Sequence, residues 1–208
     1  MSPTRDPCAH RRRRRASDPH DFADERSPVT TLTTMPEPPD STADLWAPGE
    51  SGASEYGEVP VSEETLRSVE AELGYRLPAA YVSQARTRNG GLLKRNAHAS
   101  PTATTWAADH VAVTGIFAIG RTARSSLCGS NGQRLWLNEW GYPDLGVYFA
   151  DTPSAGHDMI ALDYRACGPD GEPTVVHVDQ EVGYIVTLLA PTFEDFIAGL
   201  VGEETFQG

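Results

Sequence analysis

The sequence predicts an α+β fold: an antiparallel β-meander of five or six strands, packed with two N-terminal helices and one C-terminal helix. Three observations carry this. Apolar runs at 145–149, 159–162 and 174–178 are each bounded by Pro, Gly and Asp, the punctuation of turns. The links between them are too short for the crossovers that parallel strands need. Helical periodicity occurs before and after these runs.

Charge divides the chain unevenly. The 208 residues carry a formal charge of -12. Residues 1–44 hold seven Arg and eight Asp or Glu, whereas 45–208 hold ten Arg or Lys and 21 Asp or Glu. From 139 to 204 there are thirteen carboxylates and one cation, Arg165. Such a domain makes a poor nucleic-acid binder, because phosphate contacts need Lys and Arg. It suits a basic protein partner instead. Cys8, Cys128 and Cys167 are far apart and form no CxxC, so no disulfide framework is expected and a reducing cytoplasm fits. No apolar run is long enough to span a membrane, and no h-region follows Arg11 to Arg15.

The elements follow in order. Residues 1–44 are rich in Ser, Thr, Pro, Asp and Arg, without apolar periodicity. They read as a disordered extension, or as the product of a misplaced start with Met35 as initiator. Residues 45–208 read as one folded domain. Leu45 and Trp46 open its apolar content, and a loop with Tyr56 follows. Ser62 is an N-cap, Glu63 and Glu64 suit the first turn, Leu66, Val69 and Leu73 share a face, and Gly74 stops the helix. Pro78 opens a second helix that buries Tyr81, Val82 and Ala85 and ends at Asn89-Gly90-Gly91. Residues 96–110 read as a loop containing Trp106. Residues 111–119 read as a strand with a bulge at Gly115. The polar run 121–133 reads as mobile. RLWLNEW reads as a strand or short element leading into the meander.

Within the meander, VVHVD alternates. Val176 and Val178 point one way, and His177 and Asp179 the other, as in a half-buried strand with an acidic exposed side. The turn QEVG leads to a last strand, YIVTLL. Thr192 caps a final helix, with Asp195 where a capping box would place Glu. Its apolar face is Phe193, Phe196, Ile197 and Leu200.

The stretch VSEETLRSVEAELGYRLPAAYVSQARTRNGG resembles the opening signature of the SMI1/KNR4 family, also called the SUKH superfamily. That signature is a helix with a central Glu, here Glu70, then LG, then LP, then a second helix closing on NGG. Trp140 in EWGYP, the segment GHDMIALD and the 173–179 strand fit as well, so the likeness covers about residues 45–201. The resemblance implies an α+β fold without an enzymatic site. Bacterial members are similar to immunity proteins that neutralise toxin domains, often nucleases. Fungal members are regulatory interaction proteins. The family hands over no catalytic positions and implies no cofactor. The expected function is therefore a protein-binding module that neutralises a basic toxin domain. A regulatory scaffold without a toxin is the alternative.

Expected contacts come from charge and position. They are Asp151, Asp158, Asp170, Glu172, Asp179 and Glu181, with Trp140 and Tyr142 as aromatic anchors. Trp136 and Trp140 also fit a core. His157, Asp158, Asp163, His177 and Asp179 supply ligand types for a metal-dependent hydrolase, the remote alternative. No HExxH spacing supports that, and 156–158 read as a turn with the Asp158 side chain accepting backbone N–H bonds. Asp163 reads as a cap or turn residue. Asn89-Gly90-Gly91 follows a helix rather than a strand, which argues against a phosphate loop. Gly129 and Gly132 are no more specific. Ser125 and Ser126 lack a nucleophile-elbow context.

Overall fold

The computed structural model describes residues 44–48 and 55–206. The disorder expected of the Arg-rich extension falls on 1–44, of which 1–43 lie outside the described residues.

α1 (Glu63–Leu73) starts and stops by local chemistry. The Ser62 hydroxyl accepts the Thr65 N–H at 3.1 Å, and Glu63 and Glu64 fill the first turn. Gly74 adopts a left-handed φ of 78° and its N–H donates to the Glu70 carbonyl. The Glu70 carboxylate accepts the Leu77 N–H at 2.8 Å. That bond turns the chain into α2 (Ala79–Thr87), for which Pro78 is the N-cap rather than the first helical residue. The Glu, LG and LP of the signature are thus one capping device.

Asn89 and Gly90 do more than end α2. Buried Asn89 donates to the carbonyls of Val59 and Ile119 at 3.0 and 3.1 Å and accepts the Ile119 N–H at 2.7 Å. Gly90 has φ 79°, and a Cβ there would lie 2.3 Å from the Tyr56 carbonyl oxygen. The pair ties the chain entering α1 to the start of the sheet.

β1 (Gly91–Leu92) begins that sheet. β2 (Ala97–Ala99) and β3 (His110–Ala112) pair as a separate ribbon. The first of these corrects the loop expected at 96–110. The single strand expected at 111–119 is also divided, because β4 (Gly115–Ile116) joins the main sheet instead. Gly115 serves close approach rather than a bulge: a Cβ would stand 2.7 Å from the Tyr56 ring.

The run 121–133 is packed, which overturns the mobile reading. The Glu58 carboxylate accepts the N–H groups of Thr122 and Ala123 at 2.6 and 3.0 Å, and Ser125, Ser126 and Leu127 are buried. RLWLNEW contributes α3 (Gln133–Asn138), not a strand. Gln133 and Trp136 are its buried residues, three apart as a helix requires.

β5 (Gly146–Asp151), β6 (Asp158–Asp163), β7 (Thr174–Asp179) and β8 (Ile185–Ala190) form the meander. The six-stranded order is β1-β4-β5-β6-β7-β8, antiparallel throughout. β4 pairs with β5 only at Ala150 and Asp151. The Gln133 side chain completes the ladder: its amide donates to the Gly146 carbonyl at 2.6 Å and accepts the Tyr148 N–H at 3.0 Å. α4 (Phe193–Gly199) is capped by Thr192, whose hydroxyl accepts the Asp195 N–H at 3.1 Å and donates to the Asp195 carboxylate at 2.7 Å. A 3₁₀ turn (Glu203–Phe206) follows.

Successive residues of β5 serve two aromatic clusters. Tyr148 packs edge-on to Tyr142 at 5.2 Å. Phe149 packs against Tyr81, Phe193 and Phe196. All six residues of β6, and all of β7 except Thr174, are buried. The half-buried, acidic-sided strand expected at 176–179 is therefore internal on both faces.

Candidate partner-binding surface

The eight expected contacts do not share one face. The strands separate them into two ends. Asp170 and Glu172 lie in the β6–β7 connection, while Trp140, Tyr142, Asp158, Asp179 and Glu181 gather at the opposite end. Asp151 closes β5 beside that second group.

At the second end, the β5–β6 and β7–β8 turns lie side by side. The Gln180 N–H donates to the His157 carbonyl at 2.9 Å. Asp158 is buried below them. Its Oδ1 accepts the Thr152 hydroxyl and its Oδ2 accepts His177 Nε2–H, each at 2.6 Å. Ser154 donates to Thr152 at 2.7 Å and accepts the Asp158 N–H at 3.0 Å. Asp158 thus uses hydroxyl and imidazole donors rather than the backbone N–H groups expected of a turn Asp. Burial alone would raise its pKa. The bonds from His177 and Thr152 outweigh burial and hold it below the usual carboxylate range.

Asp179 is also buried and bound. Its Oδ2 accepts the N–H and hydroxyl of Thr105 at 3.1 and 2.9 Å, and its Oδ1 accepts the Glu181 N–H at 3.1 Å. It fixes the Trp106 loop and the β7–β8 turn. Tyr142 is buried and donates to the Gly156 carbonyl at 2.7 Å. Asp151 accepts the Tyr56 hydroxyl at 2.7 Å, and burial, eased by that bond, raises its pKa to about 6. Four of the eight residues therefore hold loops and strands in place.

The others are accessible. Half-buried Trp140 packs between Trp136 and His157, with ring centroids at 5.6 and 6.1 Å. Exposed Glu181 pairs with the His157 imidazole. Exposed Asp170 and Glu172 border a groove of ≈ 590 Å³ between α1, α2 and the β6–β7 connection. Arg67, Arg76 and Arg86 line the same groove, so its charge is mixed. Sequence reasoning missed Val182, Ile185 and Leu188, exposed apolar residues around β8. Their signal was negative: no charged residue protects YIVTLL.

The order of groups also decides what chemistry the buried cluster can perform. A hydrolytic triad runs nucleophile, imidazole, carboxylate. Here the hydroxyl meets the carboxylate, and His177 Nδ1 is buried with no hydrogen-bond partner among the described residues. Among the described residues no nucleophile lies within hydrogen-bond reach of His177 Nδ1. Burial pushes the Cys128 thiol up to about 11, away from a thiolate at neutral pH. Among the described residues no three His, Cys, Asp or Glu converge to hold a metal ion. No helix among them is long and apolar enough to cross a membrane.

An α+β module of this kind uses its buried polar groups for architecture and offers carboxylates and apolar side chains to solvent. The chain belongs to the SMI1 / KNR4 family (SUKH-1), whose model matches residues 60–199. The match runs from two residues before the α1 cap to the end of α4. The family is in general a non-catalytic, immunity-type fold, and membership accords with an immunity-type or SMI1-like module. No curated protein and no solved structure matches the chain.

Proposed function

We propose that this chain is a cytoplasmic immunity-type module that binds and neutralises a basic toxin domain, for example a nuclease. Family membership over residues 60–199 is the observation that carries the reading. The carboxylate excess after Glu139 supports the sign of the partner. Exposed Asp170, Glu172 and Glu181 stand in for phosphate charge, and Trp140 supplies an aromatic anchor. Tyr142, Asp151, Asp158 and Asp179 act from beneath, by holding the end that carries Trp140 and Glu181. Substrate access to the toxin is blocked by occupancy, without chemistry on this chain.

Affinity capture of the tagged full chain from its native cells, read by mass spectrometry at low and high salt, tests this. A single basic toxin domain should be held at low salt and weakened at high salt, and co-expression should rescue cells from it. Recovery of housekeeping proteins, or of nothing while a toxin is expressed, would move the assignment to a regulatory scaffold. Asp170→Lys with Glu172→Lys should reduce both affinity and its salt dependence. Unchanged values would remove those two residues from the interface.

A further inference from the structure

We propose that β8 is a docking edge for an extended strand of the partner, apolar in its middle and basic at both ends. The inference rests on the protein-binding reading above and names the recognition element. β8 is the last strand of the six. Among the described residues, the backbone groups of 185–189 bond only within the β7 ladder. An edge of this type is a template for strand addition unless charge, Pro or a bulge protects it. The bulge of β8 is confined to Leu189, the extra residue opposite Val175 and Val176, which leaves 185–188 regular. No residue of IVTLLA is charged.

Both faces of the strand add apolar surface. Ile185 stands opposite Asp179, and Leu188 opposite Val176, so they lie on opposite faces. Each is 55% exposed. Thr105 is bound to Asp179, which brings the neighbouring Trp106, 49% exposed, to the Ile185 end. An exposed Trp at the rim of a free strand is the makeup of an interface anchor.

Charge selects the occupant. No Lys or Arg follows Arg165, whereas eight Asp or Glu do. Exposed Glu181 lies at one end of β8, and Glu194 and Asp195 at the other. Antiparallel pairing with a second copy would set Glu181 of one against Glu194 and Asp195 of the other. A strand with Lys or Arg at both ends meets opposite charge at both.

The test uses the full chain and a synthetic probe, Lys-Lys-Val-Thr-Val-Thr-Val-Lys-Lys. Its twin carries Glu in place of each Lys. Amide hydrogen exchange is followed across residues 185–189. The basic peptide should slow the outward amides by about tenfold or more, and the acidic twin should leave them unchanged. Ile185→Lys with Leu188→Lys should abolish the effect. The two peptides on the unaltered protein give an answer even where that variant folds poorly. Four outcomes would overturn the proposal. They are no protection by either peptide, equal protection by both, protection mapped away from β8, and slow exchange without peptide, whether rising with protein concentration or relieved by deleting 1–43. Any of these, alongside intact toxin rescue, removes this edge and leaves the immunity reading standing.

Discussion

β7 and β8 are neighbours in one ladder, and their sequences invert their environments. β7 reads TVVHVD and is buried on both faces. β8 reads IVTLLA and is the exposed edge. Position in the sheet explains the inversion. β7 has β6 and β8 on either side and layers above and below. Its polar atoms survive there because Asp158 and Thr105 reach His177 and Asp179. Among the described residues β8 has one strand neighbour, and its burial is complete only at Ala190, where the chain turns into α4. Alternation reports the pleat, while cover reports which side is wet.

The largest effect should come from breaking the buried pair under β7. Asp158→Ala leaves the His177 imidazole without a partner at either nitrogen. It should cost about 3–5 kcal/mol in urea unfolding at pH 7. Glu181→Ala, which removes an exposed partner of His157, should cost no more than about 0.5 kcal/mol. The Asp158 pKa is depressed in the fold, so its contribution is full above the unfolded value of about 4 and is lost as pH falls through the folded value. The gap between the wild type and Asp158→Ala should close in acid. Equal losses at Asp158 and Glu181 would mean that the buried network carries no special stability.

A matched pair across the ladder isolates cover from chemistry. Val178 and Val186 stand opposite each other on one face. Val178 is fully buried and Val186 half-buried. Val178→Ala should cost about 2–3 kcal/mol and Val186→Ala less than about 1 kcal/mol. Similar values would show that β8 is as well covered as β7 in solution.

Asp151 makes the same comparison among carboxylates. Asp158 collects enough donors to stay acidic, whereas Asp151 is raised to about 6 by burial. A folded pKa above the unfolded value means stability that is full below about pH 4 and lost as pH rises through about 6. Asp151→Asn should therefore raise stability at pH 7.5 by about 1–2 kcal/mol and change little at pH 4.5. Thermal melts at both pH values check it, and equal shifts at the two would sink the explanation.

The helices were legible because their signals are local. Ser62, Gly74 and Thr192 act on atoms within a few residues, and each does in the structure what its type suggests. The meander was legible through its turns. The failures are places where a distant partner decides. Glu58 orders the polar run 121–133 from more than sixty residues away. Gln133 completes a strand ladder with its side chain, so a short helix stands where the sequence left a strand or a short element open. The candidate surface was only partly legible for the same reason. Counting carboxylates predicted an acidic face, but Asp158 and Asp179 are used internally, and Asp170 and Glu172 share their groove with three arginines.

The smallest effect is expected on β8 itself. Ile185→Thr with Leu188→Thr removes most of the exposed apolar surface of the edge and leaves a β-branched side chain suited to a strand at both positions. Each side chain is already 55% exposed, so little transfer free energy is forfeited. The double variant should unfold within about 0.5 kcal/mol of the wild type, at any protein concentration. A loss above about 1.5 kcal/mol would place these side chains under cover in the free protein. If that loss grew with concentration, the cover would be a second copy, because only an oligomer makes stability depend on protomer concentration. If it were independent of concentration but vanished on deleting 1–43, the cover would be this chain's own extension. A near-zero cost shows that the fold does not need Ile185 and Leu188 to be apolar, which is what a docking edge that is open in the free protein requires.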